Sequence, residues 1–208
     1  MVQSLFGAVF ERELFSTSEC QRLIAAPGEW SPALVTDADG GASASAGKQA
    51  TWKLIELGED SEWIFARLAE FLGRRATYGF AVREIESPIK IQRYEVGGFH
   101  AWHVDLAAPA GRERKLGVSV QLSAPDDYAG GELWIYDPPT HRAAPRERGC
   151  GIAFPSYVPH EVGAVTPAFS PSTVLKQMAA IQASMPVHCG GLALSTNFGS
   201  SLSTSFGA

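Results

Sequence analysis

The sequence predicts a mainly β domain of the α+β class, in which short strands build a sandwich or barrel and helices pack outside it. Three observations carry the prediction. From residue 88 apolar residues recur with a period of two, as on a half-buried strand. The alternating runs are short and separated by turn clusters such as "APDDYAGG", the pattern of sandwiches and barrels. Before residue 88, two segments carry the helical period instead.

In chain order, "FSTSECQRLIAA" opens the first helix. Ser16 is its N-cap and Glu19 completes a capping box, with Cys20, Leu23 and Ile24 on one face. Residues 35–50 are rich in Gly, Ser and Ala and read as a loop. In "DSEWIFARLAEFLGRR" Ile64, Leu68, Phe71 and Leu72 form one apolar stripe, and Gly73 is placed to cap its end. The strands follow. "PIKIQRY" alternates Ile89 and Ile91 against Lys90, Gln92 and Tyr94. "KLGVSVQLS" sets Leu116, Val118, Val120 and Leu122 on one face, and "ELWIYD" sets Leu133 and Ile135 against Trp134 and Tyr136. "GCGIAF" puts Cys150, Ile152 and Phe154 together and is stopped by Pro155. Gly130 and Gly131 read as turn or bulge glycines.

Residues 1–87 therefore read as a helical part that packs on the core, and 88–166 as the core itself, the two forming one domain. Beyond Glu161 the chain has no acidic residue, and only Lys176 and His188 can carry positive charge. Residues 167–208 are a divergent, low-charge segment: a flexible tail, or a stretch whose sequence has drifted or been read out of frame. Irregular structure is the expectation there.

The bulk composition narrows the function classes. With 45% hydrophobic and 19% charged residues among 208, the chain is neither disordered nor membrane-like. A net charge of −5 and one small basic cluster, Arg112, Arg114 and Lys115, argue against a nucleic-acid partner. "MVQSLFGAVFEREL" lacks the basic and apolar regions of a signal peptide, and no apolar run approaches the roughly 20 residues that span a bilayer. Cys20, Cys150 and Cys189 form no CxxC pair, which suggests neither a zinc knuckle nor a disulfide framework. The expected compartment is the reducing cytoplasm.

The chemistry concentrates in "YEVGGFHAWHVDL". His103 and Asp105 are two apart, so a strand end presents both on one face and offers two ligands to one ion. His160, opening the strand-like stretch after "AFPSYVP", is the natural third. Two histidines and a carboxylate form the facial triad that leaves positions open on non-haem Fe(II). The alternative is a strand edge with two polar residues. His100 reads as a residue steering His103 or Asp105, or as a bystander. His141 reads as a solvent-facing loop histidine, and His188 sits in the divergent tail.

The run "YEVGGFHAWHVD", then "RKLGVSVQLSAPDDYAGGELWIY", then "GIAFPSYVPHEV", resembles the prolyl-4-hydroxylase-like Fe(II)/2-oxoglutarate-dependent dioxygenases, nearest to the small stand-alone bacterial and phage hydroxylases. The resemblance covers roughly residues 88–165, with weaker likeness in "LFSTSECQRLI" and "SEWIFARL". It implies a double-stranded β-helix, a cupin-like jelly-roll, with the iron at its mouth. It implies the ligands His103, Asp105 and His160, with Tyr94 beside the cosubstrate. Gln121 and Trp134, off the apolar faces of their strands, line the pocket or simply fill the barrel. The implied reaction uses Fe(2+), 2-oxoglutarate and O2, releases succinate and CO2, and hydroxylates an unactivated C–H bond, with ascorbate keeping the iron reduced.

One part of the family pattern is missing. The far carboxylate of 2-oxoglutarate needs a cation, and Arg suits it through its planar fork. In this family a basic residue stands on the last core strand, but the corresponding position is Ser170, and Pro167 and Pro171 flank it; proline disfavours a central strand. Lys176 after a register shift, or Lys115 on the strand after the His-x-Asp pair, is the candidate substitute. Otherwise the segment no longer encodes the last strands.

The leading expectation is therefore an enzyme hydroxylating a peptidyl residue, proline first, on a peptide or protein partner. The alternatives are a degenerate metal-binding jelly-roll without turnover and a nucleic-acid base demethylase, the latter disfavoured by the acidic charge. No membrane partner is expected, and a homodimer stays open.

Overall fold

The computed structural model describes residues 7–36, 42–43, 46–75, 85, 87–105, 114–166 and 178–186, with backbone only for 35–36, 42–43, 75, 114–115 and 178–186. The N-terminal part holds β1 (Val9–Glu11), α1 (Thr17–Ala25), β2 (Ser31–Pro32), β3 (Val35–Thr36), β4 (Ala42–Ser43), β5 (Lys48–Gln49), β6 (Thr51–Ile55) and α2 (Glu62–Arg75). The remainder is β7 (Ile89–Tyr94), β8 (Phe99–His103), β9 (Arg114–Gln121), a 3-10 turn (Pro125–Asp127), β10 (Ala129–Gly130), β11 (Leu133–Asp137), β12 (Thr140–Ala143), β13 (Gly151–Pro155), β14 (His160–Val162), β15 (Val165–Thr166) and β16 (Met178–Pro186).

Two antiparallel sheets carry the domain. The larger has the order β1-β13-β9-β16-β7-β6-β2 and the smaller β12-β11-β14-β8-β5. From β7 onward the chain alternates between them: β7 large, β8 small, β9 large, β11 and β12 small, β13 large, β14 small, β16 large. That alternation is the double-stranded β-helix, the jelly-roll that the family resemblance implies.

The apolar faces sort into two cores. Leu116, Val118, Val120, Ile89 and Ile91 turn away from the barrel and pack with Leu23, Ile64, Leu68, Phe71 and Leu72 of the helices. Inside the barrel Phe10, Tyr94, Leu133, Ile135, Ile152, Phe154 and Val162 pack together. β7 is buried on both faces, because Gln92 and Tyr94 are as enclosed as Ile89 and Ile91. α1 begins as expected: Ser16 Oγ accepts from the Glu19 amide, and the Glu19 carboxylate accepts from the Ser16 amide at 2.8 Å.

Several expectations are corrected. Ile24 is 37% exposed, so the buried face of α1 is Cys20 and Leu23. α2 runs through Gly73 to Arg75, so Gly73 is interior rather than a cap. The stretch read as a loop over 35–50 contains β3, β4 and β5, and β5 pairs with β8. β6, over Thr51–Ile55, is not among the expected strands. His141 is exposed, as expected, but lies on β12 instead of in a loop, with its ring in T-shaped contact with Trp102 and Trp134.

The largest correction concerns the segment expected to be irregular. Residues 178–186 form β16, inserted between β7 and β9 in the middle of the large sheet. A register of apolar and small residues, Ile181 opposite Ile91 and Val120 and Ala183 opposite Val118, suffices to place a strand where both neighbours offer free ladder groups. Gly130 fits its turn because φ is +65° and a Cβ there would collide with the Ala164 carbonyl.

Candidate metal centre

The smaller sheet builds the site. β8 and β14 are antiparallel neighbours, and His103 is the register partner of His160. Opposed residues point to one face, so pairing alone brings the two imidazoles together, with ring centroids 4.2 Å apart. β8 ends at His103, so Asp105 lies just past the strand and not on it. Its place is set by its amide, which donates to the Ser156 carbonyl at 2.9 Å. The carboxylate then lies 3.7 Å from His103 Nε2 and 3.6 Å from His160 Nε2. One ligand atom from each of His103, Asp105 and His160 lies within 4.8 Å of the others. Gly117 makes room, since a Cβ there would stand 3.0 Å from the Phe154 ring and 3.4 Å from Asp105 Oδ2.

The hydrogen bonds fix which nitrogens are available. Each Nδ1 lies against a backbone carbonyl, His103 on Ala101 at 2.8 Å and His160 on Val158 at 3.0 Å. A carbonyl only accepts, so each Nδ1 is the protonated donor and each Nε2 bears the lone pair. Both Nε2 atoms are buried and have no hydrogen-bond partner. Two orphaned acceptors beside a carboxylate are costly unless a cation joins them. The donor set, two neutral imidazoles and one carboxylate, suits a divalent transition metal, so these residues fit the ion the sequence implies. Burial, with His160 nearby, pushes His103 down to about 4 against the weaker opposing pull of Asp105; the ring is in its ligating form at neutral pH.

The other expected residues distribute as follows. Tyr94 is fully buried inside the barrel, and its hydroxyl donates to Gln92 Oε1 at 2.7 Å. Burial, and secondarily the charge of Asp105, holds its phenol well above the usual value. Gln121 is buried on the face of β9 that carries Gly117, with Oε1 unpartnered. Trp134 is the register partner of Glu161, on the face of β11 opposite that of Ile135, and its ring meets His141, with centroids 5.1 Å apart. His100 stacks on His103 at 3.5 Å, with Nδ1 buried and unpartnered. Lys176 and His188 lie outside the described residues, as does the side chain of Lys115, though its backbone belongs to β9.

One residue escaped the sequence reading: Lys48, on β5 opposite His100. Its Gly/Ser/Ala-rich surroundings hid it. The available signal was that Lys48 and Gln49 extend the strand-like "TWKLI" backwards past Ala50.

Two histidines and an aspartate at one strand pair of a jelly-roll are a donor set suited to non-haem iron. Residues 89–175 match the family model of the 2OG-Fe(II) oxygenase superfamily. Among curated proteins, the chain is 32% identical over 102 residues to a PKHD-type hydroxylase of Gluconacetobacter diazotrophicus, covering 46% of this chain and 45% of the relative. It is 28% identical over 113 residues to a PKHD-type hydroxylase of Maricaulis maris, covering 54% and 52%. The matched stretch thus spans about half the length of these relatives.

Solved structures share the fold over most of the chain. A Pseudomonas putida prolyl-4-hydroxylase superposes with a TM-score of 0.61 at 18% identity, over 88% of this chain and 94% of that one. A Trichoplax adhaerens prolyl hydroxylase, solved with a hypoxia inducible factor peptide fragment, gives 0.64 at 16%, over 88% and 84%. Residues 89–175 are therefore similar to the 2OG-Fe(II) oxygenase superfamily, and the solved prolyl hydroxylases share the fold of this chain. Among the described residues no helix is long and apolar enough to cross a membrane.

Proposed function

We propose that the protein is an Fe(II)- and 2-oxoglutarate-dependent dioxygenase that hydroxylates a peptidyl residue, proline first, with His103, Asp105 and His160 as the iron ligands. The observation that carries this is the pair of buried, unpartnered Nε2 atoms facing one carboxylate. Iron(II) held there supplies, with 2-oxoglutarate and O2, the oxidising power for C–H hydroxylation and the release of succinate and CO2.

The chain's own part is positional. The Ala101 and Val158 carbonyls hold both rings in the ligating tautomer. Phe154, 4.6 Å from the His160 ring, packs against it and excludes water from that side. Tyr94 and Gln92 present a hydrogen-bonded pair on the barrel's inner wall, where we place the cosubstrate, with Lys176 or Lys115 as expected anchors. Ascorbate is assigned as the reductant of oxidised iron. A peptide partner is supported by the Trichoplax enzyme having been solved with one. The cytoplasm is supported by Cys20 and Cys150 being free thiols.

A second reading is favoured by one observation: on β16 the positions opposite Tyr94 and Gln92 are Met178 and Ala180, neither basic. A degenerate metal-binding jelly-roll without turnover would share that feature. Oxygen-dependent CO2 release from 2-oxoglutarate separates the two. The enzyme reading expects release that His103→Ala and His160→Ala abolish; release unaffected by both substitutions refutes the triad, and none from metal-loaded wild type supports the second reading.

A further inference from the structure

Away from the triad, a groove runs between the end of α1, the far half of β6 and the loop that leads into α2. Its volume is about 1020 Å³, at the upper end of the range typical of ligand pockets. Leu23 and Ile64, both buried, form its floor. Leu54 and Leu57, 47% and 56% exposed, line it beside Trp63. Large apolar side chains left this open beside a cavity mark a surface that gains by being covered.

The strand edge beside the groove is open. β6 pairs with β7 along its whole length, but with β2 only at Thr51 and Trp52. The Ala33 amide donates to the Ala50 carbonyl at 2.9 Å, and Ser31 stands opposite Trp52. Alternate residues of a strand turn their backbone groups to the same side. Leu54, next in the series Ala50, Trp52, Leu54, therefore presents its N–H and C=O where β2 has ended. No strand stands opposite Leu54 on that side among the described residues. Such an edge is a template for one more strand.

The rim of the groove is acidic. Glu56, Glu59 and Asp60 line it against one cation, Arg22. The Arg22 guanidinium lies 4.2 Å from the centre of the Trp63 ring. Glu56 accepts from the Ser87 hydroxyl at 3.1 Å. Among the described residues the carboxylates of Glu59 and Asp60 have no ion-pair partner. An apolar floor, an open backbone edge and an acidic rim fit one kind of occupant: an extended segment with apolar side chains on one face and Lys or Arg on the other.

We propose that this groove docks an extended, basic segment of a partner protein, which adds to the edge of β6 at Leu54 and sets its cations against Glu59 and Asp60. The groove shares no residue with the triad, and the docking does not rest on the dioxygenase reading. A second copy of this chain, with its net charge of −5, matches the rim poorly.

The test titrates the full chain into fluorescein-labelled peptides of equal length and reads anisotropy. One peptide alternates Leu and Lys, the second Leu and Glu, the third Ser and Lys. Wild type binds the Leu-Lys peptide and neither of the others, and the Leu54 amide exchanges its hydrogen more slowly in the complex. Glu59→Lys Asp60→Lys and Leu57→Ser, all at exposed positions, each lower that affinity about tenfold or more and melt as wild type. Asp126→Lys Glu147→Lys makes the same change in net charge outside the groove and leaves the affinity unchanged. The docking site is overturned if both double reversals weaken binding alike, which reduces the effect to net charge, or if the Ser-Lys peptide binds as well as the Leu-Lys peptide. It is equally overturned if wild type binds no peptide or if Leu54 exchange does not change. A wild-type dimer in sedimentation that the groove reversal dissociates would make a second copy the occupant and overturn it too.

Discussion

Replacing Asp105 by Asn separates a metal site from a merely polar strand edge. Without metal the carboxylate faces two acceptor nitrogens at 3.6–3.7 Å, an unfavourable contact. An amide offers them a donor, so the metal-free variant is as stable as wild type or gains up to about 1 kcal/mol. With metal the sign reverses. At a free concentration one hundred times Kd, binding stabilises the wild type by about 2.7 kcal/mol, which raises the melting temperature of a domain this size by about 5–11 °C. Loss of the only charged ligand weakens binding by about a hundredfold. The same metal concentration then equals Kd and contributes about 0.4 kcal/mol, or about 1–2 °C. Differential scanning calorimetry with and without Mn(II) reads both values. A metal-induced shift that survives in Asp105→Asn and again in His160→Ala would place the ion elsewhere and end the argument from the orphaned Nε2 atoms.

Further outcomes follow from the same structure. Gly117→Ala pushes a methyl against Phe154 and Asp105 Oδ2, so Mn(II) affinity falls by about tenfold or more while stability falls by about 1–3 kcal/mol; wild-type Mn(II) affinity in a folded variant would show that the carboxylate's position is not critical. Burial pushes the Cys20 thiol up to about 11 and the Cys150 thiol up to about 12, so in a Cys189→Ser background the native protein resists maleimide at pH 8 and both thiols react only on unfolding. For Lys48, which faces Lys90, His100 and Asp105, the folded value near 8 lies below the ordinary 10.5. The unfolded chain then binds the extra proton between these values, and stability rises with pH through that window. Lys48→Met should therefore be more stable than wild type near pH 7 and lose that advantage above pH 10, as urea midpoints will show; equal midpoints at both pH values contradict the desolvation of Lys48.

The parts of the molecule that one strand or one helix dictates were legible in its sequence. The capping box at Ser16, the stripe through Ile64 and Leu72, and the alternation from Leu116 to Leu122 each depend on near neighbours, and local rules reach them. His103 and Asp105 were legible for the same reason, although the strand phase invoked for Asp105 is supplied instead by its amide's bond to Ser156. What resisted reading depends on partners distant in the chain. β16 has no distinctive pattern of its own; two waiting edges, β7 and β9, define it. β5 is two residues long in small-residue surroundings, and only its pairing with β8 reveals why a lysine stands there. The burial of Gln92 and Tyr94, on the face of β7 opposite Ile89 and Ile91, also follows from the barrel closing over them.

The position of β16 has a consequence for how the domain comes into being. The strand at the centre of the large sheet is the one that the chain delivers after every other described element. Until it arrives, β7 and β9 face an open slot with unpaired backbone groups on both sides, which is the kind of edge that recruits strands from other chains. Its contacts reach back across most of the sequence, which slows folding. During synthesis the half-closed barrel must therefore wait, exposed, for its middle.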